Sequence, residues 1–69
     1  MTKSYKPGFK FAGQEELGTN AQAFATRREA ELSAEARFQR WTMPIGWDVI
    51  ESDEPVNYRY DDQKGDVPL

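Results

Sequence analysis

Thr26-Arg27-Arg28-Glu29-Ala30-Glu31-Leu32-Ser33-Ala34-Glu35-Ala36-Arg37-Phe38-Gln39-Arg40-Trp41 is the stretch from which the rest of the chain can be placed. Thr26 followed three residues later by Glu29 is a capping box, in which hydroxyl and carboxylate satisfy backbone donors that the first helical turn leaves unpaired. Ala, Glu, Arg, Leu and Gln, all good helix formers, fill most positions from there to Trp41. Ala30, Ala34, Phe38 and Trp41 recur at i, i+4, i+8 and i+11, on one stripe that should face a core. Arg37 falls within the angular range of that stripe and is expected to snorkel along its edge. Pro44 and Gly46 end the helix and turn the chain.

Outward from the helix the period changes from 3.6 to 2. Trp47-Asp48-Val49-Ile50 reads as a strand, Ser52-Asp53-Glu54-Pro55 as a turn, and Val56-Asn57-Tyr58-Arg59-Tyr60 as a second strand with Val56, Tyr58 and Tyr60 on one face. On the N-terminal side Phe9-Lys10-Phe11 alternates, Gly13 and Gly18-Thr19-Asn20 mark turns, and Ala21–Ala25 returns as a strand despite the poor strand propensity of alanine. Residues 9–25 are therefore expected to form an irregular hairpin. Residues 1–8, ending in the breaker pair Pro7-Gly8, read as a flexible arm, and residues 61–69, polar with Gly65 and Pro68, as a disordered acidic tail. The expectation is one α+β domain over 9–60. It is ββαββ-like, with one helix packed on an antiparallel sheet of three to four strands in two layers. The far face of the sheet would be open to solvent or to a partner.

Length and composition bound what such a domain can do. A 69-residue chain makes one domain and buries only about 60% of its unfolded surface. It contains no cysteine and no histidine, which excludes disulfides, thiolate zinc sites, a cysteine nucleophile and the commonest general base. That leaves a core rich in large side chains or self-association. Phe9, Phe11, Phe24, Phe38, Trp41, Trp47, Tyr58 and Tyr60, each able to bury on the order of 150–250 Å², favour the core while leaving dimerisation open. No apolar run is long enough to span a membrane and the N-terminus has no signal-like pattern, so a cytoplasmic location is expected. Adjacent acids such as Asp53-Glu54 and Asp61-Asp62 sit in turns, where they are ordinarily solvated charge, and a general base needs a perturbed pKa. Oxygen ligands between Asp48 and Asp62 match no calcium-loop spacing. The reading is a non-enzymatic protein with no cofactor and no metal.

Charge is distributed unevenly. Residues 1–47 carry seven basic against five acidic side chains, and residues 48–69 two against seven. Such asymmetry bears on partners, not on fold. The acidic third nominates Asp48, Glu51, Asp53, Glu54, Asp61 and Asp62 as a partner-binding surface that could dock on a basic groove. Its plainer reading is solubility and protection of an edge strand. An alternative is a nucleic-acid module using Lys3, Lys6, Lys10, Arg27 and Arg28, although the acidic third opposes a general nucleic-acid coat. Arg27 and Arg28 oppose the helix dipole; pairing with Glu31 at i+4 or i+3 is the favoured explanation, and an anion contact the alternative. Leu32 and Ala36, off the main stripe, could seed a homodimer. Tyr58-Arg59-Tyr60 has the composition of a single-strand nucleic-acid platform, but alternation puts Arg59 on the face opposite the rings.

From Phe24 onward the chain resembles a group of small bacteriophage- and prophage-encoded proteins of unassigned activity. The segments that carry the resemblance are Phe24-Ala25-Thr26-Arg27-Arg28-Glu29-Ala30, Arg40-Trp41-Thr42 and Glu51-Ser52-Asp53-Glu54-Pro55-Val56-Asn57-Tyr58-Arg59. They cover roughly half the chain, and Met1 to Gly18 fall outside the pattern. The resemblance implies no catalytic residues. It implies a context in which small acidic proteins bind and inhibit a bacterial host protein, here a nucleic-acid-handling defence complex in the manner of an anti-CRISPR, or serve as virion or assembly components.

Overall fold

The computed structural model describes residues 3–69 and contains, in chain order, β1 (Ser4–Lys10), β2 (Gly18–Thr19), α1 (Arg27–Arg40), β3 (Gly46–Ser52), β4 (Tyr58–Asp61) and β5 (Gly65–Pro68). The helix starts where its capping sequence predicts, but only the hydroxyl half of the expected capping box reaches a backbone donor of the first turn. Thr26 is extended and its hydroxyl accepts the Glu29 N–H at 3.2 Å. The Glu29 carboxylate is shared, however: one oxygen accepts the Thr26 hydroxyl at 2.9 Å, and the other takes the Tyr60 N–H of β4 at 3.0 Å. The cap thus also fastens the helix to the sheet. At the far end the Trp41 N–H closes on the Phe38 carbonyl.

Ala30, Ser33 and Ala34 are the buried helix residues, while Phe38 is half-buried and Trp41 keeps 40% of its surface exposed. The small side chains let α1 lie close on a sheet that supplies the bulk. Phe24 and Val49 pack with Ala30, ringed by Tyr5, Trp47, Tyr58 and Tyr60. The fold is α+β, as expected, with one helix on a three-stranded antiparallel sheet of order β2-β1-β3 and a β4–β5 hairpin beside it.

β1 is the centre of that sheet. It pairs along its whole length with β3, from Ser4↔Ser52 to Lys10↔Gly46, and along its other edge with β2 through Gly8↔Thr19 and Phe9↔Gly18. The arm expected over 1–8 is corrected accordingly: from Ser4 onward it is the central strand, while Met1 and Thr2 lie outside the described residues. Pro7 is tolerated in a central strand for a geometric reason. Tyr5 exchanges both backbone hydrogen bonds with Phe24, so by strand alternation the Pro7 nitrogen points to the same edge. There it faces the interval between the Phe24 and β2 pairings, and no ladder bond is lost.

Two further expectations change. The return strand is not Ala21–Ala25 but the two-residue β2, and of the alanine-rich segment only Phe24 pairs, antiparallel to Tyr5 and parallel to Tyr58. Completely buried, it joins the three-stranded sheet to the hairpin. Asn57 holds the residues before it, accepting the Ala23 N–H and donating to the Ala21 carbonyl. Likewise residues 61–69 are not a tail. β5 pairs with β4 from Tyr58↔Pro68 to Asp61↔Gly65, giving ββαβββ in place of ββαββ. Asp61 makes the turn by accepting the Gln63 and Lys64 N–H groups, and Gly65 supplies a φ of 79°.

The far face of the sheet is partly roofed by its own residues. A Cβ on Gly8 would stand 3.2 Å from both the Ile50 and the Leu17 side chains, so these two close over that glycine. Beside them the buried Lys6 stem runs to Glu54 at 2.7 Å.

Candidate functional site

The acidic residues singled out from sequence do not form one free surface. Asp48 turns its carboxylate onto the N–H of Val49 at 2.8 Å on the outer edge of β3, covering a donor that another strand could use. Glu51 pairs with Lys3 at 3.3 Å and Glu54 with Lys6 at 2.7 Å, both partners coming from the N-terminal segment. Hydrogen bonding and the charge of Lys6 hold the Glu54 carboxyl below its ordinary range. Asp61 is likewise lowered, first by the two turn N–H groups and then by Arg59, 3.5 Å away. Among the described residues only Asp53 and Asp62 of the six make neither an ion pair nor a side-chain hydrogen bond, and no three of the carboxylates converge into a cluster that could hold a metal ion.

The basic set is dispersed too. Lys3 and Lys6 are occupied as described, and the Lys6 side chain is only 9% exposed, which leaves little of it for a phosphate. Arg27 and Arg28 both reach Glu31 at 3.8 Å, the i+4 and i+3 pairs the sequence suggested. Lys10 is exposed. Leu32 and Ala36 are half-buried, Ala36 lining a polar cleft of about 370 Å³ between the helix and the hairpin together with Ser33, Arg40 and Tyr60.

A different surface is built around the end of α1. Trp41 leaves the helix in an extended conformation, and its indole meets Phe9 and Phe11 of the β1 region edge-on, at centroid distances of 5.5 and 5.3 Å. Phe9 is buried and Phe11 half-buried, so these rings form the floor of a mostly apolar groove of about 240 Å³. Gly18 and Thr19 of β2, Asn20 and Arg37 complete its walls. A Cβ at Gly18 would lie 3.1 Å from the Phe11 ring, so the glycine is what allows that ring to lie against β2.

Beyond Trp41 the chain presents Met43, 69% exposed, and Ile45, 62% exposed. This segment is held in place. Pro44 is buried between them, and the Ile45 N–H donates to the Lys10 carbonyl at 2.7 Å. Three large apolar side chains are therefore offered to solvent from an anchored loop next to an aromatic groove. Trp, Met and Arg are the residues enriched where proteins bind proteins.

The cations around this surface differ in their state. Arg37 is neutralised in a network in which its guanidinium bonds Asp66 at 3.1 Å and Gln22 at 3.2 Å, and Gln22 also donates to Asp66 at 2.8 Å. Arg40 shares a depression with Trp41 and spends only its Nε, on the Ala36 carbonyl at 3.2 Å. Arg40 and Lys10 make no ion pair among the described residues. Sequence reasoning read Trp41 as core and Met43–Ile45 as part of a turn. The signal it passed over is composition, since Trp-Thr-Met-Pro-Ile is too apolar for a solvated turn.

No protein-family model, no curated protein and no solved structure matches this chain. Among the described residues no helix is long and apolar enough to cross a membrane.

Proposed function

We propose that this chain is a non-catalytic binding module whose partner is a protein, engaged through the Trp41–Ile45 surface. One observation carries the reading: Trp41, Met43 and Ile45, three of the four exposed large apolar side chains among the described residues, fall within five residues, in a loop anchored at Pro44 and Ile45. Exposed apolar side chains scattered singly are ordinary, but a contiguous group beside a groove marks an interaction site. Supporting the absence of catalysis, the chain has no histidine or cysteine, and the two displaced carboxyls, Glu54 and Asp61, both move down. A general acid needs the opposite shift.

The narrower form of the proposal makes the partner a bacterial protein that this chain inhibits, in the context that the phage-type resemblance of the sequence implies. Asp53 and Asp62 would then steer association and Glu51, Glu54, Asp48 and Asp61 serve the fold. The test is an affinity pull-down from bacterial lysate with and without nuclease, run with the native chain and with a Met43→Ser/Ile45→Ser double variant. A protein held after nuclease by the native chain and lost by the variant is the expected result. Equal retention by both would overturn the assignment of the surface, and recovery that vanishes with nuclease would overturn the protein partner.

A further inference from the structure

We infer that the cleft between α1 and the β4–β5 hairpin is a second binding site, independent of the Trp41 surface, and that it takes a small polyol carrying one oxyanion. The oxyanion, a phosphate or a carboxylate, lies between Arg40 and Lys64 with the Ser33 hydroxyl beneath it. Asp62 accepts from the hydroxyls of the polyol.

The site has two walls, both held in place. Ser33, Ala36 and Arg40 recur at i, i+3 and i+7, so one face of α1 forms the first wall. The turn residues Asp62, Gln63 and Lys64, with Tyr60 of β4, form the second. Asp61 ties that turn through the Gln63 and Lys64 N–H groups. Arg40 is fixed by its Nε on the Ala36 carbonyl at 3.2 Å, which leaves both terminal nitrogens of the guanidinium unspent. The cleft, at about 370 Å³, falls within the roughly 300–1,000 Å³ of small-molecule sites.

Ser33 is the residue that points to a ligand. It is 2% exposed, and its hydroxyl has no partner among the described residues although it lines a polar cleft. Alanine would serve both the helix and the burial better, so the hydroxyl is accounted for by what it meets in the cleft. Charge and hydrogen bonding then choose the ligand. Four charged side chains line the cleft, and one of them, Asp66, is neutralised by Arg37 at 3.1 Å. Arg40 and Lys64, one from each wall, make no ion pair among the described residues, and neither does Asp62. Two unspent cations against one unspent carboxylate suit a single oxyanion. Arg37 and Arg40, both in the last turn of α1, offset the negative end of the helix dipole there. Asp62 would oppose a bare anion, whereas a polyol gives it hydroxyl protons to accept. Apart from Tyr60, no apolar side chain larger than alanine lines the cleft, so an acyl chain or a nucleobase finds little to pack on.

The experiment is a titration of the full ¹⁵N-labelled chain with glycerol phosphate and with gluconate, the two sources of the oxyanion, and with glycerol and inorganic phosphate as the separate halves. The expected result is a saturable shift of the Ser33, Lys64 and Gly65 N–H signals by at least one of the two acids, which identifies the oxyanion. Glycerol and inorganic phosphate should each bind roughly tenfold more weakly than that acid. Arg40→Gln and Lys64→Gln should each weaken binding roughly tenfold, as for loss of a hydrogen bond to a charged group. Both positions are exposed, and a dispersed spectrum confirms that the variants fold. Ser33→Ala should weaken binding roughly fivefold while raising the urea midpoint, so that its loss cannot come from unfolding. No saturable shift with either acid at millimolar concentration would overturn the inference. So would inorganic phosphate or glycerol binding as tightly as the acids, affinity unchanged in Ser33→Ala, or tighter binding of a short oligothymidylate at the same residues.

Discussion

Gly65 sits at φ 79° with nothing within 4 Å of where a Cβ would be, so an alanine there would be strained by its own backbone and not by a clash. Gly65→Ala should lower stability by about 1–2 kcal/mol in urea denaturation. Gly46→Ala is its control: an extended position whose nearest neighbour to an added Cβ is Lys10 Cβ at 3.9 Å, where the change should be neutral or mildly stabilising. Ser33 offers the reverse case. Its hydroxyl is buried, 2% exposed for the residue, and has no partner among the described residues, so Ser33→Ala should raise stability by up to about 1 kcal/mol. The two lowered carboxyls give stability a pH dependence of definite sign. A carboxyl whose folded pKa is depressed contributes fully above its unfolded value, and loses that contribution as pH falls through the folded value. For Glu54 and Asp61 the loss begins near their ordinary values of 4.5 and 3.8 and continues below them. Denaturation midpoints of Glu54→Gln and Asp61→Asn should fall at pH 7 and converge on the native chain in acid, a convergence that paired titrations would detect.

At the level of the element, α1 owes its start to a cap that reaches across to the sheet. Thr26→Ala removes the acceptor for the Glu29 N–H and should cost about 1 kcal/mol. Glu29→Ala should cost more, because it also leaves the half-buried Tyr60 without an acceptor for its N–H. If the two substitutions prove equal in urea, the bridge from helix to β4 contributes nothing. The helix was legible in sequence because its determinants are local: the cap, the formers between and the stop at Pro44 lie within one stretch. β3 and β4 were legible for the same reason, since alternation is a property of consecutive residues. Pro7-Gly8 misled because a proline is judged by where its nitrogen points, and that depends on Phe24 and β2. Residues 61–69 misled because their polar composition suits solvent, and only pairing with β4 makes them a strand.

On the scale of the whole molecule, the hairpin and the helix are joined by the Arg37–Asp66–Gln22 network, which also ties in the segment leading to Phe24. Truncation after Asp61 removes β5 together with Asp66, leaving Arg37 without its ion-pair partner and the half-buried β4 without its paired strand. It should therefore lower the urea midpoint, where a disordered tail could be cut without effect. The candidate surface behaves oppositely. Met43→Ser and Ile45→Ser alter exposed side chains, so stability should stay within about 0.5 kcal/mol of the native chain while binding falls. A comparable loss of stability would mean that the loop is part of the core and not a docking surface.

The amino-acid sequence by itself determined the helix, its cap and stop, the two strands after it, the α+β class and the charge held by each third of the chain. These arise from spacings of a few residues, which chain geometry converts directly into faces and ends. The tertiary structure alone decided which strand is central, which charges are spent and which apolar residues remain outside. Lys3–Glu51 and Lys6–Glu54 each join residues 48 positions apart and turn an apparently acidic surface into a largely paired one. Exposure of Met43 and Ile45 depends on the Lys10 carbonyl and on the burial of Pro44 between them. Pairing and exposure are properties of residues that meet only after the chain has closed, and no local pattern encodes them.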